Sequence, residues 1–222
     1  MSRELILNRI YDALGRAPQV APPATPTLPP AVPTDPLKAQ TTSALVDLLT
    51  DRLVDYDATV THANQDTVGN VIAELLGDAH SVVIPHDLPE DWTAASQAQF
   101  QIDSADEPLS VDQLDAVDAV VTGSTVSIAD TGTICLAGAT TGRRAITLVP
   151  DHHVVVVKLS DIVESVPQAV EVLENRELAT AVQTWVSGPS ATVDIELERV
   201  KGVHGPRTLN VVFLEDQLPR TS

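Results

Sequence analysis

Short apolar runs alternate with amphipathic segments in the part of the chain that follows residue 57. The runs are rich in Val, Ile and Ala, and turn residues bound each of them. Strands buried on both faces lose the polar–apolar alternation, and helices between them make successive strands parallel. The pattern therefore predicts a parallel sheet covered by helices on both faces. The predicted strands are 58–61, 81–85, 100–102 and 118–123, and the predicted helical segments are 66–76, 89–95 and 111–116.

The alternation of predicted strands and helices changes after residue 124. Two predicted strands, 125–129 and 133–136, flank an Asp130-Thr131-Gly132 turn, which is ordinary hairpin chemistry. We assign the later strands to the same open, mostly parallel α/β sheet. The remaining predicted elements are helical segments at 143–148 and 161–175 and strands at 154–158, 182–186, 193–200 and 209–214.

The N-terminal part has a different pattern. Apolar residues recur at helical spacing within residues 2–14, which predicts a short amphipathic helix. Residues 15–36 contain eight prolines and few residues that a core would bury, as is typical of an extended tether. A second helix is predicted over 37–54. The chain therefore divides into a helical arm with its linker, 1–36, and an α/β domain, 37–222.

The composition indicates a protein that folds in water around an aliphatic core. Hydrophobic residues make up 43% of the 222 positions, but aromatic residues only 3%. No apolar run approaches the roughly 20 residues that span a bilayer. The first residues also lack the apolar stretch and cleavage site of a signal peptide. We expect a cytoplasmic protein without a membrane span.

The charge balance disfavours two kinds of partner, nucleic acids and membrane surfaces. Thirteen basic residues stand against 31 acidic ones, a net charge of −18. Such a surface repels phosphate backbones and anionic lipid, which disfavours binding to nucleic acid or membranes. Basic residues that include Arg143 and Arg144 cluster near polar loops in the C-terminal half, so a small anionic ligand remains compatible with the sequence.

The metal- and redox-active residue types are sparse. Cys135 is the single cysteine, and an iron–sulfur cluster takes about four. Its apolar surroundings favour a small buried hydrophobe, with a reactive thiolate as the alternative. His152 and His153 are adjacent, and neighbouring side chains on an extended strand point apart. No metal site is predicted.

Three loops carry Gly or Pro beside polar side chains, at 123–133, 187–196 and 201–206. Open α/β sheets bind ligands beyond the carboxyl ends of their strands. Two of the loops, Gly123-Ser124 and Ser187-Gly188-Pro189-Ser190, are expected to leave such ends. We therefore predict that the three loops converge on one polar pocket.

Each loop has two interpretations. Ser187 and Ser190 flank a Gly-Pro turn whose hydroxyl and backbone N–H groups suit an anion, although the same residues close tight turns. Asp194 and Glu196 share one face of a predicted strand, where they serve acid/base chemistry or simply solvate that face. His204, between glycines, is either a general base or anion binder, or a turn residue bonded to the backbone.

Familiar catalytic motifs are missing. The sequence contains no Walker-type phosphate loop, no G-x-G-x-x-G after a strand and no G-x-S-x-G nucleophile elbow. These absences disfavour nucleotide, hydride-transfer and serine-hydrolase functions.

Taken together, the polar loops resemble the LUD-domain family. The resemblance covers roughly residues 37–215, in order and at the expected spacing. It is carried by Ala129-Asp130-Thr131-Gly132-Thr133, the segment from Gly142-Arg143-Arg144 to Pro150, His153-Val154-Val155-Val156-Val157, Ser187-Gly188-Pro189-Ser190, Asp194-Ile195-Glu196 and Gly202-Val203-His204-Gly205-Pro206.

The resemblance implies a three-layer α/β/α, Rossmann-like fold similar to the NagB/RpiA/CoA-transferase group. It also implies a system that oxidises L-lactate to pyruvate with iron–sulfur partner proteins. Larger relatives carry cysteine motifs for clusters, and the single cysteine here departs from that pattern. This chain is therefore expected to bind no cofactor of its own, with the clusters on its partners.

Three functions follow as hypotheses. The first is a subunit of a lactate oxidation system. The second is a stand-alone acid/base enzyme acting on a small anionic acyl, 2-oxo acid or sugar-phosphate substrate. The third is a protein-interaction module whose loops are structural. The candidate catalytic residues are His204, Asp194 and Glu196, and the candidate ligand-binding residues are Asp130, Thr131, Ser187, Gly188, Ser190, Arg143 and Arg144.

Overall fold

The computed structural model describes residues 3–13, 15, 42–193, 199–201 and 205–216. The chain divides into two units, residues 1–36 and 37–222. Five helices lie in the described part: α1 (Arg3–Ala13), α2 (Thr42–Asp55), α3 (Val68–Leu76), α4 (Val111–Asp115) and α5 (Val166–Asn175). None of the helices in these ranges has the length and apolar character needed to cross a bilayer.

The strands of the second unit form three separate sheets within the described residues. We call the largest the main sheet and the four-stranded one the small sheet. The strands are β1 (Thr59–Asn64), β2 (Ser81–Pro85), β3 (Gln99–Asp103), β4 (Ala119–Gly123), β5 (Val126–Ile128), β6 (Thr133–Leu136), β7 (His152–Lys158), β8 (Ile162–Val163), β9 (Thr184–Val186), β10 (Ala191–Val193), β11 (Arg199–Lys201) and β12 (Thr208–Glu215).

The main sheet has six parallel strands in the order β1-β12-β7-β4-β2-β3. The valines of β7 are buried throughout because this strand lies in the middle of the sheet and is covered on both faces. We call the edge at which the six strands begin the amino edge, and the edge at which they end the carboxyl edge. The prediction of an α/β fold with a mostly parallel central sheet is confirmed.

Different layers cover the two faces of the main sheet. On one face, α3 and the 3₁₀ helix Glu90–Trp92 pack Ile72 and Trp92 against Val156 and Val212. On the other face, α2 packs Leu49 and Leu53 against the same strands together with residues of the small sheet. The central strands β7 and β12 of the main sheet are thus held between two apolar layers.

The small sheet, in the order β8-β5-β6-β9, was expected to continue the main one. It is instead a separate layer, with β5 and β9 antiparallel to β6. Ile134 faces the main sheet, whereas Cys135 faces α5. Both faces of β5 and β6 are buried, so these strands are as apolar as the central strands of the main sheet and the sequence pattern did not separate them.

The predicted strand 193–200 is also divided. Its ends belong to β10 and β11, which pair antiparallel in a two-stranded sheet of their own. Residues 194–198 lie outside the described residues. The predicted helical segment at 143–148 is a 3₁₀ helix, Arg144–Thr147, and it stands at the amino edge of the main sheet.

Candidate functional site

A cavity of about 310 Å³ opens at the amino edge of the main sheet. Its wall combines the starts of β7 and β12, the 3₁₀ helix before β7, and the turn that follows β9. The lining residues are Arg144, Thr147, Leu148, His153, Gln183, Thr184, Trp185, Val186, Ser187, Gly188, Pro189, Ser190, Gly205, Pro206 and Leu209.

Two of the predicted loops meet beside this cavity through hydroxyl groups. The Oγ1 atoms of Thr131 and Thr133 lie 2.8 Å apart, and Thr133 Oγ1 lies 2.8 Å from Ser187 Oγ. The Asp130-Thr131-Gly132 turn is thereby tied to the Ser187–Ser190 turn. Asp130 is exposed, and neither it nor Thr131 belongs to the cavity wall.

The Ser187–Ser190 turn is fixed at both ends. Gly188 has φ +147°, and a Cβ added there would lie 3.0 Å from the carbonyl oxygen of Tyr56. Only glycine allows this close approach to the segment that follows α2. The backbone N–H of Ser190 donates to the carbonyl of Pro206 at 2.7 Å, which joins the turn to the third predicted loop.

The location of the turn differs from the sequence expectation. The Ser187 turn was expected at the carboxyl ends of the parallel strands, and this was wrong. β5 begins directly after β4 and runs back from the carboxyl edge, and β9 runs in the same direction as β5. The end of β9 therefore lies at the amino edge, whereas Gly123 ends β4 at the opposite one, beside Thr140.

The consecutive arginines have different surroundings. Arg143 donates from Nε and Nη2 to the two carboxylate oxygens of Asp103, at 2.8 and 2.5 Å, and from Nη2 to the carbonyl of Leu109. The Asp103 side chain is fully buried at the end of β3. Arg143 was predicted to bind ligand, but its guanidinium is held in this ion pair at the carboxyl edge and does not line the cavity.

Arg144 lines the cavity and is exposed. Among the arginines of residues 42–193 and 205–216, it alone has no carboxylate partner. The other four, with their partners, are Arg52 with Asp51, Arg143 with Asp103, Arg176 with Asp161 and Arg207 with Asp151.

His153 is a cavity residue that the sequence analysis did not select. It is 1% exposed, and its Nε2 lies 2.8 Å from Thr122 Oγ1 on β4. Burial, with a smaller contribution from His152, lowers the pKa of His153 to about 3, so the ring is neutral at physiological pH. The sequence feature that could have identified it is a histidine directly before a run of valines.

His152 belongs to the opposite face of β7. Asn210 Nδ2 on β12 donates to its Nε2 at 2.7 Å, and burial lowers its pKa. The expectation that the two neighbouring histidines point apart is thus met. The part of the chain that the structure describes contains no group of three or more His, Cys, Asp or Glu residues placed to hold a metal ion.

The three predicted catalytic residues, Asp194, Glu196 and His204, lie outside the described residues and remain predictions. Gly205, which follows His204 in the sequence, lines the cavity. An open groove of about 1000 Å³ adjoins the cavity and shares Arg144, Leu148 and Gly205 with it. The charged residues that line this groove besides Arg144 are Asp115, Asp118, Asp151 and Arg207.

The fold and the site together define a class of protein. It is a Rossmann-like α/β domain with a buried small sheet and a cavity lined by hydroxyl groups. The sequence profile of the LUD domain matches residues 46–214. The chain belongs to the LUD-domain family, as its loops had indicated.

Curated relatives and a solved structure agree with this membership. A protein of Deinococcus radiodurans named Lactate utilization protein C is 42% identical over 165 residues, 74% of this chain and 76% of the relative. A Bacillus subtilis protein of the same name is 23% identical over 97% of both chains. The crystal structure of a DUF162 family protein from Deinococcus radiodurans superposes with a TM-score of 0.65 at 34% identity, covering 79% of this chain and 99% of that one.

Proposed function

We propose that the chain acts in lactate utilisation, as a cytoplasmic subunit of a system that oxidises L-lactate to pyruvate with iron–sulfur partner proteins. The observation that carries this proposal is the relationship to proteins named Lactate utilization protein C, which extends over 74% to 97% of this chain in the two relatives above. The match includes the segments that build the cavity.

The state of Cys135 supports a subunit that carries no iron–sulfur cluster of its own. It is the single cysteine of the chain, it is fully buried, and burial raises the pKa of its thiol to about 11. A thiolate is the form that ligates iron. The electrons removed from lactate would therefore pass to clusters on partner proteins.

The contribution of this chain would be the cavity, as a site for a small anionic ligand. Ser187, Gly188, Ser190 and Arg144 line it and offer hydroxyl, backbone and guanidinium donors. Asp130 and Thr131 would act indirectly, since the hydroxyl contacts through Thr133 hold the Ser187 turn in place.

The position of Gly205 favours a second candidate, a stand-alone acid/base enzyme. Because Gly205 lines the cavity, the adjoining His204 is the first catalytic group to test, with Asp194 and Glu196 next. This candidate predicts turnover of a small anionic substrate by the purified chain without partners.

Reconstitution distinguishes the two. The purified chain, the iron–sulfur proteins of its host and the complete mixture are each incubated with L-lactate and an artificial electron acceptor. Acceptor reduction is expected from the complete mixture alone. Turnover by the isolated chain would support the enzyme, and full activity of the partners without the chain would refute the subunit. Loss of growth on lactate in a deletion strain provides the cellular counterpart.

A further inference from the structure

Arg144 is a cation without a carboxylate partner among the described residues of a strongly acidic protein. The chain has 31 acidic residues for 13 basic ones, and the four other arginines noted above have carboxylate partners. Arg144 stands where the cavity meets the open groove and has none. A guanidinium presents a planar fork of donors that matches a carboxylate. An arginine left open at a cavity mouth is therefore placed to receive a carboxylate from outside the chain.

The surrounding charge limits the ligand to one negative group. On the groove side of Arg144 lie the carboxylates of Asp115, Asp118 and Asp151. Asp151 pairs with Arg207 at 3.4 Å, and Asp118 accepts hydrogen bonds from the backbone N–H groups of His80 and Ser81 but has no cationic partner among the described residues. A phosphate dianion or a polyphosphate extending into this groove would meet those carboxylates without a second free cation. A monocarboxylate whose body turns into the cavity avoids this repulsion.

The inner wall fits a short body with an uncharged oxygen. Leu148, Trp185 and Leu209 provide apolar surface, and the cavity, at about 310 Å³, is at the small end of ligand pockets. His153 adds a buried polar ring that is locked to Thr122 and stays neutral. A neutral imidazole can share a hydrogen bond with a hydroxyl or keto oxygen without adding charge.

The geometry points to a site for a small 2-hydroxy or 2-oxo monocarboxylate, with the carboxylate on Arg144 and the second oxygen toward His153. This assignment rests on the proposed role in lactate utilisation and names the chemical class of the ligand. Ser187 lines the same cavity, where its contact with Thr133 holds its hydroxyl in place.

Calorimetric titration of the full chain tests the ligand class. L-lactate and pyruvate are the probes, and lactamide, propionate and inorganic phosphate are the comparisons. Lactamide lacks the charge and propionate lacks the second oxygen. We expect both to bind about 10-fold or more weakly than L-lactate. Phosphate binding as tight as that of L-lactate, or no binding of L-lactate or pyruvate, would overturn the assignment.

Paired variants test the residues. Arg144→Gln is expected to weaken L-lactate binding by about 10- to 100-fold. Arg207→Gln, in the adjoining groove, is the matched control: it uncovers the carboxylate of Asp151 without touching the cavity, and it should weaken binding by less than about 3-fold. His153→Gln should reduce the preference for L-lactate over propionate while lactamide remains weak. An unchanged affinity in Arg144→Gln, or an equal loss in Arg207→Gln, would contradict the placement.

The outcomes separate this inference from the proposed function. If the deletion strain fails to grow on lactate but the chain binds no monocarboxylate, the role in lactate utilisation stands and the ligand assignment falls. If Arg144-dependent binding is found while lactate growth is normal without the chain, the ligand assignment stands and the role falls.

Discussion

The amino and carboxyl edges of the main sheet use adjacent arginines in opposite ways. At the carboxyl edge, Arg143 forms a bidentate pair with the fully buried carboxylate of Asp103. At the amino edge, Arg144 is exposed beside a cavity, and no carboxylate in the part of the chain that the structure describes pairs with it. One peptide bond separates a side chain that holds the fold from one that is available to a ligand.

The two arginines differ because the polar groups beside them differ. A buried carboxylate without a partner is costly, so Asp103 needs the guanidinium of Arg143 and the N–H of Leu109, which donates to it at 2.9 Å. The cavity at the amino edge is lined by hydroxyls and a neutral histidine, and none of these needs a cation. The buried ion pair therefore lies at the carboxyl edge, and the exposed arginine that has no carboxylate partner among the described residues lies at the amino edge.

The largest expected effect comes from exchanging the two arginines for glutamine separately. Arg143→Gln leaves Asp103 buried without its cation, and we expect a loss of about 3 kcal/mol in the free energy of unfolding. Arg144→Gln removes an exposed, unpaired side chain, and we expect a change within about 0.5 kcal/mol. Urea denaturation at neutral pH measures both.

Asp87→Ala is the control for losing a charge at the same edge, because Asp87 is half-exposed and bonded only to the exposed His86 among the described residues. It should change stability by less than about 1 kcal/mol. Equal effects of the Arg143 and Arg144 variants would show that the arginine of the carboxyl edge does not stabilise the fold more than that of the amino edge.

Acid should weaken the amino edge next. The pKa of His153 is about 3 in the folded chain, against about 6.5 in an unfolded one, so the unfolded state takes up the proton first. The contribution of His153 is complete above about pH 6.5 and is lost as the pH falls toward 3. Between about pH 6 and about pH 4.5 this should cost about 2 kcal/mol.

Two histidine variants separate the stability lost through protonation of His153 from the stability lost through protonation of carboxylates. His153→Gln should flatten the decline in unfolding free energy over that range, whatever its stability at neutral pH. His86→Gln, at the exposed carboxyl edge, should follow the parent curve. A parent-like slope in His153→Gln would mean that this histidine is protonated in the folded protein.

The sequence predicted the strands of the main sheet well because their apolar runs are a direct consequence of burial. β2 and β4 lie within the predicted ranges. The assignment of β5, β6 and β9 to a different sheet could not be predicted, because α5 and the main sheet bury both faces of the small sheet and leave the same apolar pattern.

The candidate site was only partly predictable. Ser187 and Thr131 were selected from turn chemistry, and the structure joins their loops through Thr133. The two arginines were equivalent in the sequence because the residue that distinguishes them, Asp103, lies 40 positions before Arg143. Local patterns identify side chains suited to a site, but tertiary contacts decide which of them remain free.

The smallest expected effect concerns the turn that closes the amino-edge cavity. Gly188 adopts a backbone conformation that residues with a side chain rarely take, and a Cβ there would lie 2.8 Å from Tyr56 Cβ and 3.0 Å from the carbonyl oxygen of Tyr56. Gly188→Ala should therefore displace the turn from Tyr56 and cost about 1–2 kcal/mol of unfolding free energy.

Gly205→Ala is the matched substitution, because a Cβ at Gly205 would meet Ser190 Cβ at an ordinary 3.6 Å. Its effect on thermal unfolding should stay within about 0.5 kcal/mol. The carboxyl edge should keep its Arg143–Asp103 pair in both variants, so the added cost of Arg143→Gln should be the same in either background. A stronger effect of Arg143→Gln in the Gly188→Ala background would show that the two edges are coupled, and that the division of roles between them is not local.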